Sequence, residues 1–151
     1  MADRIYKSDL TNQEKLLMAI IRVGESYKRI VSSVFRRYGL SFPQYNILRV
    51  LNASENKQAK TTTVSKIMLV PPANMTGLAK RLEKNGYILR KSDPNDERAT
   101  ILEITEKGME TLKNIEIDKN KCVKTILEGL TENEIDNLLR GMKMLLKKKI
   151  G

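Results

Sequence analysis

Between Met68 and Gly108 the residues able to make directed polar contacts fall into two adjoining groups. The first follows Pro71-Pro72 and comprises Asn74, Thr76, Gly77, Lys80 and Arg81, with Ala73 and Lys84 at matching helical spacing. Asn offers a donor beside an acceptor, Thr a hydroxyl beside a methyl, and Lys and Arg a lasting positive charge. The second group is Arg90 and Lys91, then the polar run Ser92-Asp-Pro-Asn95-Asp96-Glu-Arg98. With no histidine and a single cysteine in the chain, neither group holds an obvious nucleophile and base. Its chemistry is recognition of an anionic surface rather than bond making. No glycine loop for phosphate is present either, and carboxylates such as Asp93, Asp96 and Glu97 on a solvated tip make poor general bases. An enzyme is therefore not expected.

Composition agrees. The 151 residues suit one domain, and 40% apolar content suffices for a core. Lys and Arg number 28 against 18 acidic residues, for a net charge of +10 and a pI near 9.7. That balance favours an anionic partner, nucleic acid first. The lack of histidine removes the commonest metal ligand, so no metal and no cofactor are expected. Cys122 has no internal partner, which points to a reducing compartment. No run of about 18 apolar residues exists to span a membrane. Nor does the N-terminus show a hydrophobic signal region. The expected location is cytoplasmic.

The elements that position the polar groups follow from periodicity and capping. Leu16, Ile20, Val23, Tyr27, Ile30 and Val34 share one stripe of a first helix, about 12–38. Thr11 and Glu14 form its capping box, and Gly39 ends it. A helix this long in so small a chain is expected to pack partly on its own core and partly on a second subunit. Ser41 and Gln44 form a second box, flanked by Leu40 and Tyr45, for a helix running to about Leu51 with Tyr45, Leu48 and Leu51 inward. Residues 52–60 lack a period and read as a loop. Thr61-Thr62-Thr63 offers caps for a short third helix ending near Met68, with Val64 and Ile67 buried.

Pro71 is pushed to the extended region by the proline after it, and Pro72 suits a first helical position. The fourth helix spans about 72–85, with Met75, Leu78, Ala79 and Leu82 inward. Ala73, Gly77, Lys80 and Lys84 lie opposite, flanked by Thr76, Arg81 and Asn74. Gly77 costs about 1 kcal/mol against Ala in a helix interior. The gain set against it is close approach to base edges. Strands at about 87–91 and 99–104 flank the polar tip, which places Arg98 to enter a narrow minor groove, with Asp96 near enough for an ion pair. Arg90 and Lys91 are placed for phosphates.

A fifth helix opens at Thr105 and runs to about Glu128, lined by Leu112, Ile115, Val123, Ile126 and Leu127; Gly129 ends it. Thr131 and Glu134 form a third box for a sixth helix towards Lys149. Its stripe is Ile135, Leu138, Leu139, Met142, Leu145 and Leu146. The Lys147–Lys149 run complements the helix dipole. The expected fold is thus mostly α with a small β-hairpin wing (α+β), a winged helix-turn-helix.

Several segments resemble the MarR family of transcription regulators. These are Met68-Leu-Val, Ala73-Asn-Met-Thr-Gly-Leu, Arg81-Leu-Glu-Lys-Asn-Gly86, the wing Asp93-Pro-Asn-Asp-Glu-Arg98 and the exit Ile104-Thr-Glu-Lys-Gly108. The motifs lie within a stretch of about 40 residues, from Met68 to Gly108. The resemblance implies a homodimer in which 1–38 and 109–151 form a dimerisation region and 40–108 a DNA-binding winged helix. It implies that Arg98 reaches the minor groove with Asp96 holding it, and that Asn74, Thr76, Gly77, Lys80 and Arg81 face the major groove. Thr62, Thr63, Arg90, Lys91 and Asn95 complete the candidate DNA contacts. Many members carry Ser before the recognition helix and Arg at the position of Gly77. Here Pro71 takes the place of the capping side chain, and no long side chain at 77 can read a base.

The mechanism so implied is a two-fold dimer with recognition helices in successive major grooves of a pseudo-palindromic double-stranded operator, roughly 10 bp apart. Asn74 suits adenine and Thr76 a thymine methyl. A site overlapping a promoter gives repression. The family often couples DNA release to a small organic ligand, for which Tyr27, Phe35, Tyr38, Phe42 and Tyr45 are wall candidates, although core packing is their expected role. Cys122, in the fifth helix and away from the N-terminus, is expected to be a packed thiol rather than a sensor. The competing class is a winged-helix module that binds protein without specific DNA binding.

Overall fold

Four of the helices begin at a hydroxyl side chain. Thr11, Ser41, Thr105 and Thr131 accept hydrogen bonds from the amides of Glu14, Gln44, Gly108 and Glu134 at 3.1–3.3 Å. Glu14, Gln44 and Glu134 reach back to the cap amides, so all three expected boxes are formed. The computed structural model describes residues 6–148. In order it contains α1 (Asn12–Arg36), α2 (Phe42–Asn52), a 3-10 turn (Glu55–Lys57), β1 (Gln58–Lys60), α3 (Thr61–Met68) and α4 (Pro72–Lys84). Then come β2 (Ile88–Asp93), β3 (Asp96–Ile104), α5 (Glu106–Ile126) and α6 (Glu132–Leu146). Helix ends fall within two or three residues of expectation; α6, foreseen to run towards Lys149, ends at Leu146 with Lys147 as its cap, and Lys149 itself lies outside the described residues.

The segment expected to be a loop holds a strand. Gln58, Ala59 and Lys60 pair antiparallel with Glu103, Leu102 and Ile101 of β3. Three residues are too few to show a period, and the preceding Asn56 and Lys57 have positive φ, which resets the chain direction. The hairpin therefore belongs to a three-stranded sheet of order β1-β3-β2. Its strands also run further than foreseen, to Asp93 and from Asp96, with a bulge between Ser92 and Asp93.

One core joins α1, α2, α4, the sheet and α5, built on Val31, Val34, Phe35, Ile47, Leu48, Leu51, Met75, Leu82, Leu102 and Ile115. Each such side chain contributes about 1.5–3 kcal/mol relative to exposure. Val64 is buried as expected, but Ile67 is 57% exposed, because α3 turns Ser65 rather than Ile67 inward. The lower half of α1 stays outside the core: Leu16, Leu17, Met18, Ile21 and Val23 are exposed. Among the described residues α6 buries none, leaving Leu138, Leu139, Met144 and Leu146 in the open.

Tyr87 locks the DNA-side elements together. Its amide donates to Leu82 at 2.9 Å, and its hydroxyl to the carbonyl of Tyr38 at 2.8 Å. Its own carbonyl accepts from the amide and hydroxyl of Thr105, each at 3.0 Å. Gly86 supplies the left-handed turn before it, with φ +81. Gly108 passes so close that an added Cβ would lie 2.5 Å from the Tyr87 carbonyl oxygen and 2.6 Å from Ile104 Cγ1. Gly108→Ala is expected to destabilise the fold by about 1–3 kcal/mol, measured by urea unfolding, through forced separation of α5 from the sheet.

Candidate nucleic-acid interface

The two helices of the helix-turn-helix are α3 and α4, and neither carries a side-chain cap. At α3 the expected threonine cap is absent: Lys60 is the cap residue, and the Thr61 hydroxyl donates instead to the Thr100 carbonyl at 3.1 Å. Pro71 is extended, with ψ 140, and Pro72 opens α4, as the Pro-Pro pair requires. Met75, Ala79 and Leu82 face the core. Ala73, Asn74, Thr76, Gly77, Lys80, Arg81 and Lys84 are exposed on the other side. A Cβ at Gly77 would meet nothing within 4 Å, so packing inside the chain does not demand a glycine there.

The wing departs from expectation at its carboxylates. Asp96 does not pair with the Arg98 guanidinium; its Oδ1 accepts from the Arg98 amide at 3.0 Å, which orients the backbone that carries the side chain. Two residues apart on one strand, main-chain capture is the shorter reach. Asp93, expected in solvent, is only 6% exposed. It accepts from the Asn95 amide at 2.9 Å and pairs with Lys60 Nζ at 3.3 Å. The Asn95 amide, and after it Lys60, hold its carboxyl below the ordinary carboxylate range, against the opposing pull of burial.

Arg90 and Lys91 are occupied within the chain. Arg90 Nε meets Glu83 Oε1 at 2.9 Å, and Lys91 pairs with Glu103 across the ladder. The expected residues gather around two depressions. Thr62, Thr76, Arg90 and Arg98 line a cleft of about 160 Å³ between α3, α4 and the wing, together with Lys60, Thr61 and Thr100. Asn74, Gly77 and Arg81 line a groove of about 420 Å³ at the α3–α4 turn, beside Pro43, Leu69 and Pro71. Thr63, Lys80, Lys91, Asn95 and Asp96 line neither. The sequence reading missed Lys60, which fell in the polar stretch taken for a loop, and Thr100, which lay in an expected strand with nothing to mark its nearness to α3. Among the described residues no group of acidic side chains and cysteine is arranged to hold a metal.

A hairpin beside the second helix of a helix-turn-helix, with polar and basic groups on one outer face, defines a winged-helix DNA-binding protein. Residues 29–115 match the family described as "Transcriptional regulator SarA/Rot", and the chain belongs to that family. It is a DNA-binding transcriptional regulator. Its fold is that of MarR regulators: the DNA complex of Sco3205 from Streptomyces coelicolor superposes with TM-score 0.84 over 94% of this chain and 91% of that one, at 22% identity. The Escherichia coli regulator PapX is 28% identical over 125 residues, 82% of this chain and 76% of PapX. The E. coli K12 transcriptional repressor MprA is 27% identical over 117 residues, 78% and 66% of the two chains. The resemblance drawn from the motifs is thereby borne out. Among the described residues no helix is long and apolar enough to cross a membrane.

The lowered pKa of Asp93 carries a sign. Its contribution to stability is complete above the ordinary value of 3.8 and is lost as pH falls through the lower folded value. The wild type is therefore expected to be more stable than Asp93→Asn at neutral pH. The gap should close as pH drops below 3.8, read from paired urea unfolding curves.

Proposed function

We propose that this regulator works as a homodimeric repressor that reads a pseudo-palindromic operator and lets go when a small organic ligand binds. One observation carries the dimer: α6 fully buries no side chain in its own protomer, yet presents Leu138, Leu139, Met144 and Leu146. A 15-residue helix is marginal in water without packing. The protomer exposes 11830 Å², against roughly 7,800 Å² for a compact monomer of its mass. In this reading 1–38 and 109–151 build the dimer, and 40–108 carries the DNA-binding face.

Arg98 takes the minor groove and Asn74, Thr76 and Gly77 the base edges. Thr62, Thr63, Lys80, Arg81, Arg90, Lys91 and Asn95 supply backbone contacts, with Asp96 as the support of Arg98. A cleft of about 710 Å³ between α2 and α5, walled by Tyr45, Arg49, Met109, Leu112 and Lys119, has the size for a small organic ligand. Tyr27, Phe35 and Phe42 pack against one another and the core rather than into it. A cytoplasmic location accompanies the reading.

Two outcomes are expected. Selection from a random duplex library should enrich a two-fold sequence, and Arg98→Ala should weaken binding to it by about 1–3 kcal/mol in fluorescence anisotropy. Enrichment of nothing, with binding to a protein partner instead, would favour the interaction module. In sedimentation, the wild type should run as a dimer, and joint Leu138→Glu and Leu139→Glu substitution should give a monomer that has lost the linked half-site affinity; a wild-type monomer rejects the dimer.

A further inference from the structure

Beyond Ile101 the wing stands clear of β1, which pairs only with Ile101–Glu103. Residues 92–100 are thus a two-stranded ribbon, an arrangement of marginal stability alone. Ser92, Pro94, Asn95, Asp96, Glu97 and Arg98 are all exposed, and Asp93 among them is not. Its carboxylate faces Lys60, the last residue of β1 and the cap residue of α3. An ion pair, two side-chain-to-amide hydrogen bonds and the peptide link between Asn95 and Asp96 therefore connect the start of the helix-turn-helix to the wing arginine. Lys60 holds Asp93, Asp93 holds the Asn95 amide in the turn, and Asp96 holds the Arg98 amide. Beside it, the Thr61 hydroxyl ties the same junction to Thr100.

We propose that the Lys60–Asp93 ion pair sets the wing against the helix-turn-helix, so that Asp93 and Lys60 are positioning residues for DNA binding that act through Arg98. The Asp93 carboxylate is sheltered while Lys60 is 52% exposed, so parting the two leaves the carboxylate with only the Asn95 amide as partner and favours the paired geometry. The proposal rests on the reading that Arg98 touches DNA. The opposing account makes Asp93 a mere neutraliser of Lys60. Removing the carboxylate would then free a cation for the phosphates and tighten binding, with a steeper salt dependence. The two accounts predict opposite signs.

The test is anisotropy titration of the full chain against the library-selected duplex and a scrambled duplex at two salt concentrations, with thermal melting of every variant. Asp93→Asn and Lys60→Met are each expected to weaken the selected duplex about tenfold and the scrambled one by less than about twofold. In an Arg98→Ala background each should cost less than about twofold, the non-additivity of residues acting on one contact. Lys60→Arg keeps the charge and should retain wild-type binding. Should Asp93→Asn fail to fold, the two Lys60 variants decide.

Asp93→Asn binding as tightly as wild type or tighter overturns the proposal. So does an equal loss with and without Arg98, or a Lys60→Met loss that lowers the salt slope by about one charge, which would make Lys60 a phosphate contact. A wild type that fails to tell the two duplexes apart sinks the DNA reading itself, and is recognised before any variant is measured. Arg98→Ala binding like wild type removes the contact that the pair is held to act through.

Discussion

Tyr87 is the point through which the helix-turn-helix, the wing and the first helix hold one another. A single residue closes α4 with its amide, precedes β2 directly, receives Thr105 at the start of α5 and ties back to the α1–α2 turn with its hydroxyl. The carbonyl of Tyr87 accepts two donors and lies against Gly108, so the exit of the sheet can follow only one path. The ammonium of Lys107, 4.7 Å from the ring centre, covers the remaining aromatic face. The outward face of α4 keeps its relation to Arg98 because both descend from this knot.

Much of the fold could be read in advance because its signals are local. Capping boxes are four residues long, and Thr11, Ser41 and Thr131 announced three helix starts that the structure contains. The Pro71-Pro72 pair dictated its turn by sterics alone. What escaped was non-local. Gln58–Lys60 becomes a strand only because β3 lies beside it. Thr61, placed like a cap, is drawn away by the Thr100 carbonyl across the sheet.

At the candidate interface the same division holds. Composition and helical spacing located Asn74, Thr76, Gly77 and Arg81 on one exposed face. Spacing cannot show which cations are already engaged, nor that a carboxylate amid a polar tip is sheltered. Asp93 reads as solvated until Lys60 arrives from 33 positions earlier, the interval between the two residue numbers in one ion pair. Asp96 reads as a partner for the Arg98 guanidinium until the strand geometry brings the amide closer.

The pairs Arg90–Glu83 and Lys91–Glu103 have a consequence of another kind. A chain with a net charge of +10 would adhere to any polyanion if its cations stood open. Here two of the cations nearest the wing carry carboxylates of their own. An arriving polymer gains their attraction only by displacing Glu83 and Glu103, whose charges then repel it. Loose encounters gain little from these side chains, and a duplex that fits the whole face has other contacts to set against the exchange. The two carboxylates thus lower the indiscriminate pull of Arg90 and Lys91 on any polyanion.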